Sequence, residues 1–236
     1  MATFLLIHGQ WHDGESWEPV SGILRARGHA TLAPDLPFDD PAATFEDRAG
    51  PALELAAAAG GDLIVVGHSM ASAEAAIVAA RFSPSLLVHL CPRFGGFAAP
   101  DRAPAVFREG FPFPPRDAQG RGVWDPDTAI AVMYPRLAPD VARSLAARLR
   151  PGATPVGDYP LTAQPDVRTA LVYAIDDEFF TPEWERFVAR EILGVEPIEI
   201  AGGHFPMSED PETLAELLDG LSLQVPEEST RRRPRR

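Results

Sequence analysis

The sequence predicts a doubly wound α/β domain built on a mostly parallel sheet. Three observations lead there. Short runs of β-branched and apolar residues alternate with longer helical patterns over most of the chain. Those short runs are apolar throughout, as expected of strands covered on both faces. Strand followed by helix then recurs, which demands crossover connections and therefore parallel neighbours.

Taken in order, strands are predicted at residues 3–7, 30–33, 63–66, 86–90, 169–173 and 198–200. Helices are predicted at 17–27, 45–58, 69–81, 183–193 and 211–221, with Gly28 and the pair Gly60-Gly61 as helix stops. Residues 92–166 break this rhythm. The stretch is rich in Pro, Arg and Gly and holds two expected helices, 126–134 and 139–149. A compact domain rarely carries so long a connection without a purpose. Its place between two strands puts it over one edge of the sheet, and it reads as a helical lid insertion. The core is then formed by 1–91 and 167–223. The tail, 224–236, ends in Arg231-Arg232-Arg233-Pro234-Arg235-Arg236 and is expected to be disordered.

Composition narrows the function classes. A length of 236 residues suits one domain with a substantial core. The formal net charge of −13 repels a phosphate backbone, so nucleic acid is not an expected partner. All 21 basic residues are arginine, which removes Schiff-base chemistry, a pyridoxal-phosphate anchor and a Walker-type lysine. The single cysteine, Cys91, allows no internal disulfide and fits a reducing, cytoplasmic compartment. The apolar start lacks a basic flank, so no signal peptide is expected. No run reaches the ~18 apolar residues that a membrane helix needs. No His/Cys/Asp grouping has metal-ligand spacing, and neither metal nor cofactor is expected.

The strongest chemical signal is Gly67-His68-Ser69-Met70-Ala71, which follows an apolar strand and opens a helix of small residues. That is the context of a nucleophile elbow, a turn so sharp that its flanking residues must be small. The turn sets the Ser69 hydroxyl at the carboxyl edge of the sheet, by a helix N-terminus that favours a developing anion. A serine that only caps a helix is the competing reading.

A serine hydroxyl needs a base. His204 follows the last strand on a Gly202-Gly203 loop and precedes the final helix, so it can reach the same edge. His8 and His68 flank motif glycines and read as structural. His89 lies inside a strand, and His29 begins one far from the motif. His12 stands on the first loop, where it can line a pocket or simply pack. The base needs an acid to fix its tautomer, and Asp176 and Asp177 both follow the strand at 169–173. Asp177 is preferred on register, with Asp176 the alternative. A tetrahedral intermediate needs backbone donors. The N–H of Met70 and the N–H of Gln10, freed by the turn at Gly9, are the candidates, although an ordinary strand–helix turn would fit that first loop too. Trp11, His12, Trp124 and Met133 are candidate pocket residues. The aromatic content of the lid (Phe94, Phe97, Phe107, Phe111, Phe113, Trp124 and Tyr134) either meets a substrate with apolar bulk or packs the lid on the core.

These residues resemble a known group. His8-Gly9-Gln10-Trp11-His12 with Trp17, then Ala33-Pro34-Asp35-Leu36-Pro37, Gly67-His68-Ser69-Met70-Ala71 and His204-Phe205-Pro206-Met207 are similar to motifs of small α/β-hydrolase-fold esterases and hydroxynitrile lyases. The resemblance extends to single-domain actinobacterial hydrolases. The motifs fall within residues 3–90 and 168–222. The resemblance implies an α/β-hydrolase fold, a triad whose acid matches Asp177, backbone donors matching Gln10 and Met70, and no cofactor. The lyase branch carries threonine where this chain has Gly9, and lysine where Phe205 follows His204, so hydrolysis is expected. The expected activity is cleavage of a carboxylic ester or related acyl bond of a small molecule with apolar character. Two alternatives share the motifs: lactone or carbon–carbon chemistry on the same triad in a biosynthetic pathway, and a ligand-binding protein without catalysis.

Overall fold

A computed structural model describes residues 1–94 and 102–224. Phe97 and nearly all of the arginine-rich tail lie outside the described residues. The elements run β1 (Ala2–Ile7), α1 (Glu18–Ala26), β2 (Ala30–Leu32), α2 (Phe45–Ala58), β3 (Asp62–His68), α3 (Ser72–Phe82) and β4 (Leu86–Leu90). They continue with α4 (Pro126–Met133), α5 (Pro139–Ala146), β5 (Thr169–Ala174), α6 (Pro182–Phe187), β6 (Ile198–Ile200), α7 (Pro206–Glu209) and α8 (Pro211–Leu223).

The six strands form one sheet in the order β2-β1-β3-β4-β5-β6, and every pairing is parallel. Each predicted strand has its counterpart. The uniformly apolar runs are explained by burial on both faces. Phe4, Leu6, Ile64, Val66 and Val88 point to the side covered by α1 and α8, through Val20, Leu24, Leu214 and Leu218. Their neighbours Leu5, Ile7, Val65 and Leu87 point to the side covered by α2 and α3, through Ala52, Ala56, Ala75 and Val78. Alternation is present, but both sides of it are apolar.

Helix starts follow legible chemistry. Thr44 and Asp47 form a capping box at the start of α2. Asp125, Thr181 and Asp210 each accept a backbone N–H from the first turn of α4, α6 and α8, with a proline inside that turn. Some boundaries differ from expectation. The helix expected over 183–193 begins at Pro182 and widens into a π-helical turn at Val188–Leu193. The helix expected from residue 69 opens with a 3₁₀ turn at Ser69–Ala71. The short α7 has too few residues to display a period.

Between β4 and β5 the described residues pack down on the core. Trp124, Ala129, Met133, Tyr134, Ala142 and Ala146 belong to the same buried cluster as Val66, Val88 and Val172. Chain order reverses between β1 and β3, since β2 lies outside β1 and later strands lie beyond β3. A crevice at the carboxyl ends of strands flanking such a reversal is where open α/β sheets receive ligands. Gly9 and Ser69 follow those two strands.

Candidate active site

Ser69 occupies the turn after β3 with φ +54°, a left-handed conformation that residues with a side chain seldom adopt. The turn closes because its neighbours are small. A Cβ on Gly67 would stand 2.5 Å from the Ala75 Cβ and 2.7 Å from the Ala71 carbonyl oxygen. Gly67 therefore leaves no room for a side chain, and Ala71, the small residue on the other flank of Ser69, is fully buried.

His204 reaches Ser69 from the loop after β6. Gly202 turns that loop with φ +99°, and a Cβ on Gly203 would run into Arg136 and Glu178. His68 Nε2–H donates to the His204 carbonyl at 2.8 Å, and the His204 N–H donates to Glu178 at 3.3 Å. The ring is thus held by its own backbone. His204 Nε2 lies 3.0 Å from Ser69 Oγ, and Nδ1 lies 2.7 Å from Asp177 Oδ2. A carboxylate only accepts, so the Nδ1 proton sits toward Asp177 and Nε2 is left to accept from the serine hydroxyl. Phe179 stacks on the imidazole at 4.2 Å between ring centres, and Phe180 meets it edge-on.

Asp177 is fixed on its other oxygen. Oδ1 accepts the N–H groups of Phe179 at 2.6 Å and Phe180 at 3.0 Å. Asp176 turns its side chain to the surface, while its N–H donates to the Gly202 carbonyl and its carbonyl accepts from Arg136. Adjacent residues after a strand point opposite ways, which separates the two aspartates. Behind Asp177 lies Cys91, whose thiol is pushed up by burial and by the facing carboxylates of Asp177 and Glu185. The ligating atoms of Cys91, Asp177 and His204 lie within 4.8 Å of one another, a grouping that sequence spacing did not display. The hydrogen bond between His204 and Asp177 already occupies two of those atoms.

A cavity of about 430 Å³ opens above Ser69. Gln10, Trp11, Met70, Phe107, Phe111, Phe179 and Phe180 are among its walls, and its volume suits a small organic molecule. The first loop is riveted in place. Gln10 Nε2 and the buried Arg48 both donate to the Ala153 carbonyl, at 2.6 and 2.7 Å, and Trp11 Nε1 donates to the Gly122 carbonyl at 3.2 Å. A Cβ on Gly9 would come within 2.8 Å of His68 Nδ1 and 3.1 Å of Ser69 Cβ, so the close approach of this loop to the serine requires glycine.

The structure brings together Ser69, His204, Asp177, Gln10, Met70 and Trp11. The other expected pocket residues stand apart from this cavity. His12 bonds to the Gln10 carbonyl and to the Tyr134 hydroxyl, and it faces a separate small void. Trp124 packs edge-on to Trp11 and Phe111 behind the wall, and Met133 is buried in the core. The expected lid aromatics divide by position: Phe107, Phe111 and Phe113 line the cavity, while Trp124 and Tyr134 pack inward. Sequence reasoning missed Phe179, Phe180 and Arg93. All three lie on loops past strand ends at the carboxyl edge, a position that many loop residues share. Thr154 also lines the cavity and carried no signal. The lack of lysine does not leave the cavity without a cation, because Arg93 and Arg116 border it.

This fold and this edge define a class. The alpha/beta hydrolase family matches residues 4–217, and the chain belongs to that family. Among curated proteins it is similar to Esterase PIR7B of Oryza sativa subsp. japonica, at 27% identity over 91% of this chain and 93% of the rice protein. Among solved structures it is similar to polyneuridine aldehyde esterase, with a TM-score of 0.74 and 19% identity over 94% of this chain and 99% of the other. A pyrethroid hydrolase, PytH, matches with a TM-score of 0.73 and 21% identity, covering 94% and 97%. At such identities the solved structures speak for the fold. Among the described residues, no helix is long and apolar enough to cross a membrane.

Proposed function

We propose that the protein is a serine hydrolase that cleaves a carboxylic ester or related acyl bond of a small, largely apolar molecule. The observation that carries this reading is the continuous chain Asp177 Oδ2–His204 Nδ1 at 2.7 Å and His204 Nε2–Ser69 Oγ at 3.0 Å, which ends at Ser69 on the wall of the cavity. The esterase name of the rice relative agrees with it.

In this reading Ser69 Oγ attacks the carbonyl carbon while His204 Nε2 takes the hydroxyl proton. Asp177 holds the ring and stabilises the imidazolium. The N–H groups of Gln10 and Met70 receive the oxyanion, each worth roughly 3 kcal/mol in related chemistry. His204 then returns the proton to the leaving alkoxide, and water releases the acyl group by the same steps reversed. The described residues of the stretch 92–166 serve as a lid, since Phe107, Phe111 and Phe113 line the cavity.

Turnover of 4-nitrophenyl butyrate tests the reading. Wild type is expected to release nitrophenol, and Ser69→Ala to lose on the order of 10³-fold or more in kcat. Folded Ser69→Ala with wild-type turnover would overturn the mechanism. Tight binding without turnover in wild type would instead favour a ligand-binding protein.

A further inference from the structure

The walls of the cavity are chiefly aromatic, yet Arg93 stands among them. Its backbone is tied to the nucleophile: the Arg93 N–H donates to the Ser69 carbonyl at 3.2 Å. It follows Cys91 and precedes Phe94, both at positive φ, so the turn that carries it is tightly constrained. Its side chain is half-buried and lies 6.0 Å from the centre of the Phe107 ring.

Arg93 differs from the arginines around it. Arg108 donates to the Asp177 and Ile175 carbonyls, Arg136 pairs with Glu178, Arg148 with Asp13, and Arg150 donates to the His12 and Leu36 carbonyls. Among the described residues, no carboxylate or carbonyl takes the Arg93 guanidinium. Its pKa is lowered by burial alone, with no anion to offset the loss of water. Arg116, the other cation on the cavity wall, is exposed and spends a donor on the Gly120 carbonyl. A planar fork of donors, partly desolvated and unmatched beside a nucleophile, suits a carboxylate brought in by a ligand.

We propose that Arg93 binds a free carboxylate on the substrate, so that the preferred substrate is an ester or thioester with an apolar body and an unesterified carboxylate. This rests on the hydrolase reading above. The net charge of −13 makes long-range steering of an anion unfavourable, so the preference must arise from short-range pairing inside the cavity.

The test compares mono(4-nitrophenyl) suberate with 4-nitrophenyl octanoate, matched in chain length and differing in the terminal carboxylate. Wild type is expected to favour the suberate ester in kcat/KM, and Arg93→Gln to lower that preference about 10- to 100-fold. Arg93→Lys should restore part of it. Suberate itself supplies a readout independent of turnover: it should raise the melting temperature of wild type and not that of Arg93→Gln. A substrate preference that Arg93→Gln leaves unmoved, or no preference at all, overturns the proposal. If neither ester is cleaved, the hydrolase reading fails. The suberate shift then decides for carboxylate binding if it depends on Arg93, and against it if it does not.

Discussion

Asp177 meets His204 through one oxygen only. Oδ2 lies 2.7 Å from Nδ1, while Oδ1 accepts two backbone N–H groups from Phe179 and Phe180. Both side chains are 1% exposed, so the carboxylate can neither rotate toward water nor swap oxygens without breaking bonds that nothing replaces.

Asp177→Asn should therefore be far more damaging than Asp176→Asn. An amide that turns its N–H₂ toward Nδ1 forces the wrong tautomer and takes away the acceptor at Nε2. The expected loss in kcat is on the order of 10⁴-fold. Asp176 faces the surface and contributes through its backbone, so its Asn variant should stay near wild type. Equal losses in an aryl-ester assay would contradict this division.

Gly9→Ala should reduce ester hydrolysis at least 10-fold, with a smaller effect on stability. The new methyl group would meet His68 Nδ1 at 2.8 Å and Ser69 Cβ at 3.1 Å, and the loop must retreat. In the proposed mechanism that retreat withdraws the Gln10 N–H from the oxyanion, and loss of one such donor lowers kcat by about 10²- to 10³-fold. Wild-type kcat in this variant would remove Gln10 from the oxyanion site.

Much of this is legible in the sequence. The strands were visible because burial on both faces leaves long apolar runs, and Gly67 and Ala71 around Ser69 marked the turn because the turn tolerates nothing larger. The preference for Asp177 over Asp176 rests on register; the geometry adds how the chain leaves β5, with the Asp176 N–H on the Gly202 carbonyl and Asp177 accepting from Phe179. Arg93 and Phe179 escaped notice because a lone arginine or phenylalanine in a loop has no period or spacing. Only the fold brings them to Ser69. Trp124 and Met133 stand apart from the cavity and His12 takes the packing role that was its alternative, because aromatic and sulfur side chains near a site pack its frame as readily as they line it.

Stability should fall as pH drops from 6.5 toward 4. His8 and His89 are buried and His12 is partly buried, and desolvation lowers each pKa from 6.5 to about 4. His68 is lowered as well. The unfolded chain takes up protons below pH 6.5 that the folded chain refuses, so the stabilisation held above that pH is lost on acidification. A shift of this size is worth about 3 kcal/mol per histidine. Glu74 opposes the trend, since burial raises it from 4.5 to about 7 and its contribution is lost as pH rises through that range. Glu185 and Glu209 are shifted the same way. The histidines outnumber these carboxyls, and their sign prevails. Urea midpoints at pH 6.5, 5.5 and 4.5 should decline, and Glu74→Gln should steepen the decline. A flat midpoint over that range would contradict the account.

The central claim is that Ser69 is an activated nucleophile, and covalent labelling with a fluorophosphonate measures this without assuming a substrate. Mass spectrometry of the labelled, digested protein should place one adduct on Ser69. The adduct should be absent in Ser69→Ala, and its formation should slow sharply in His204→Ala. A wild-type protein that stays unlabelled, or a label that forms as fast without His204, would contradict the account.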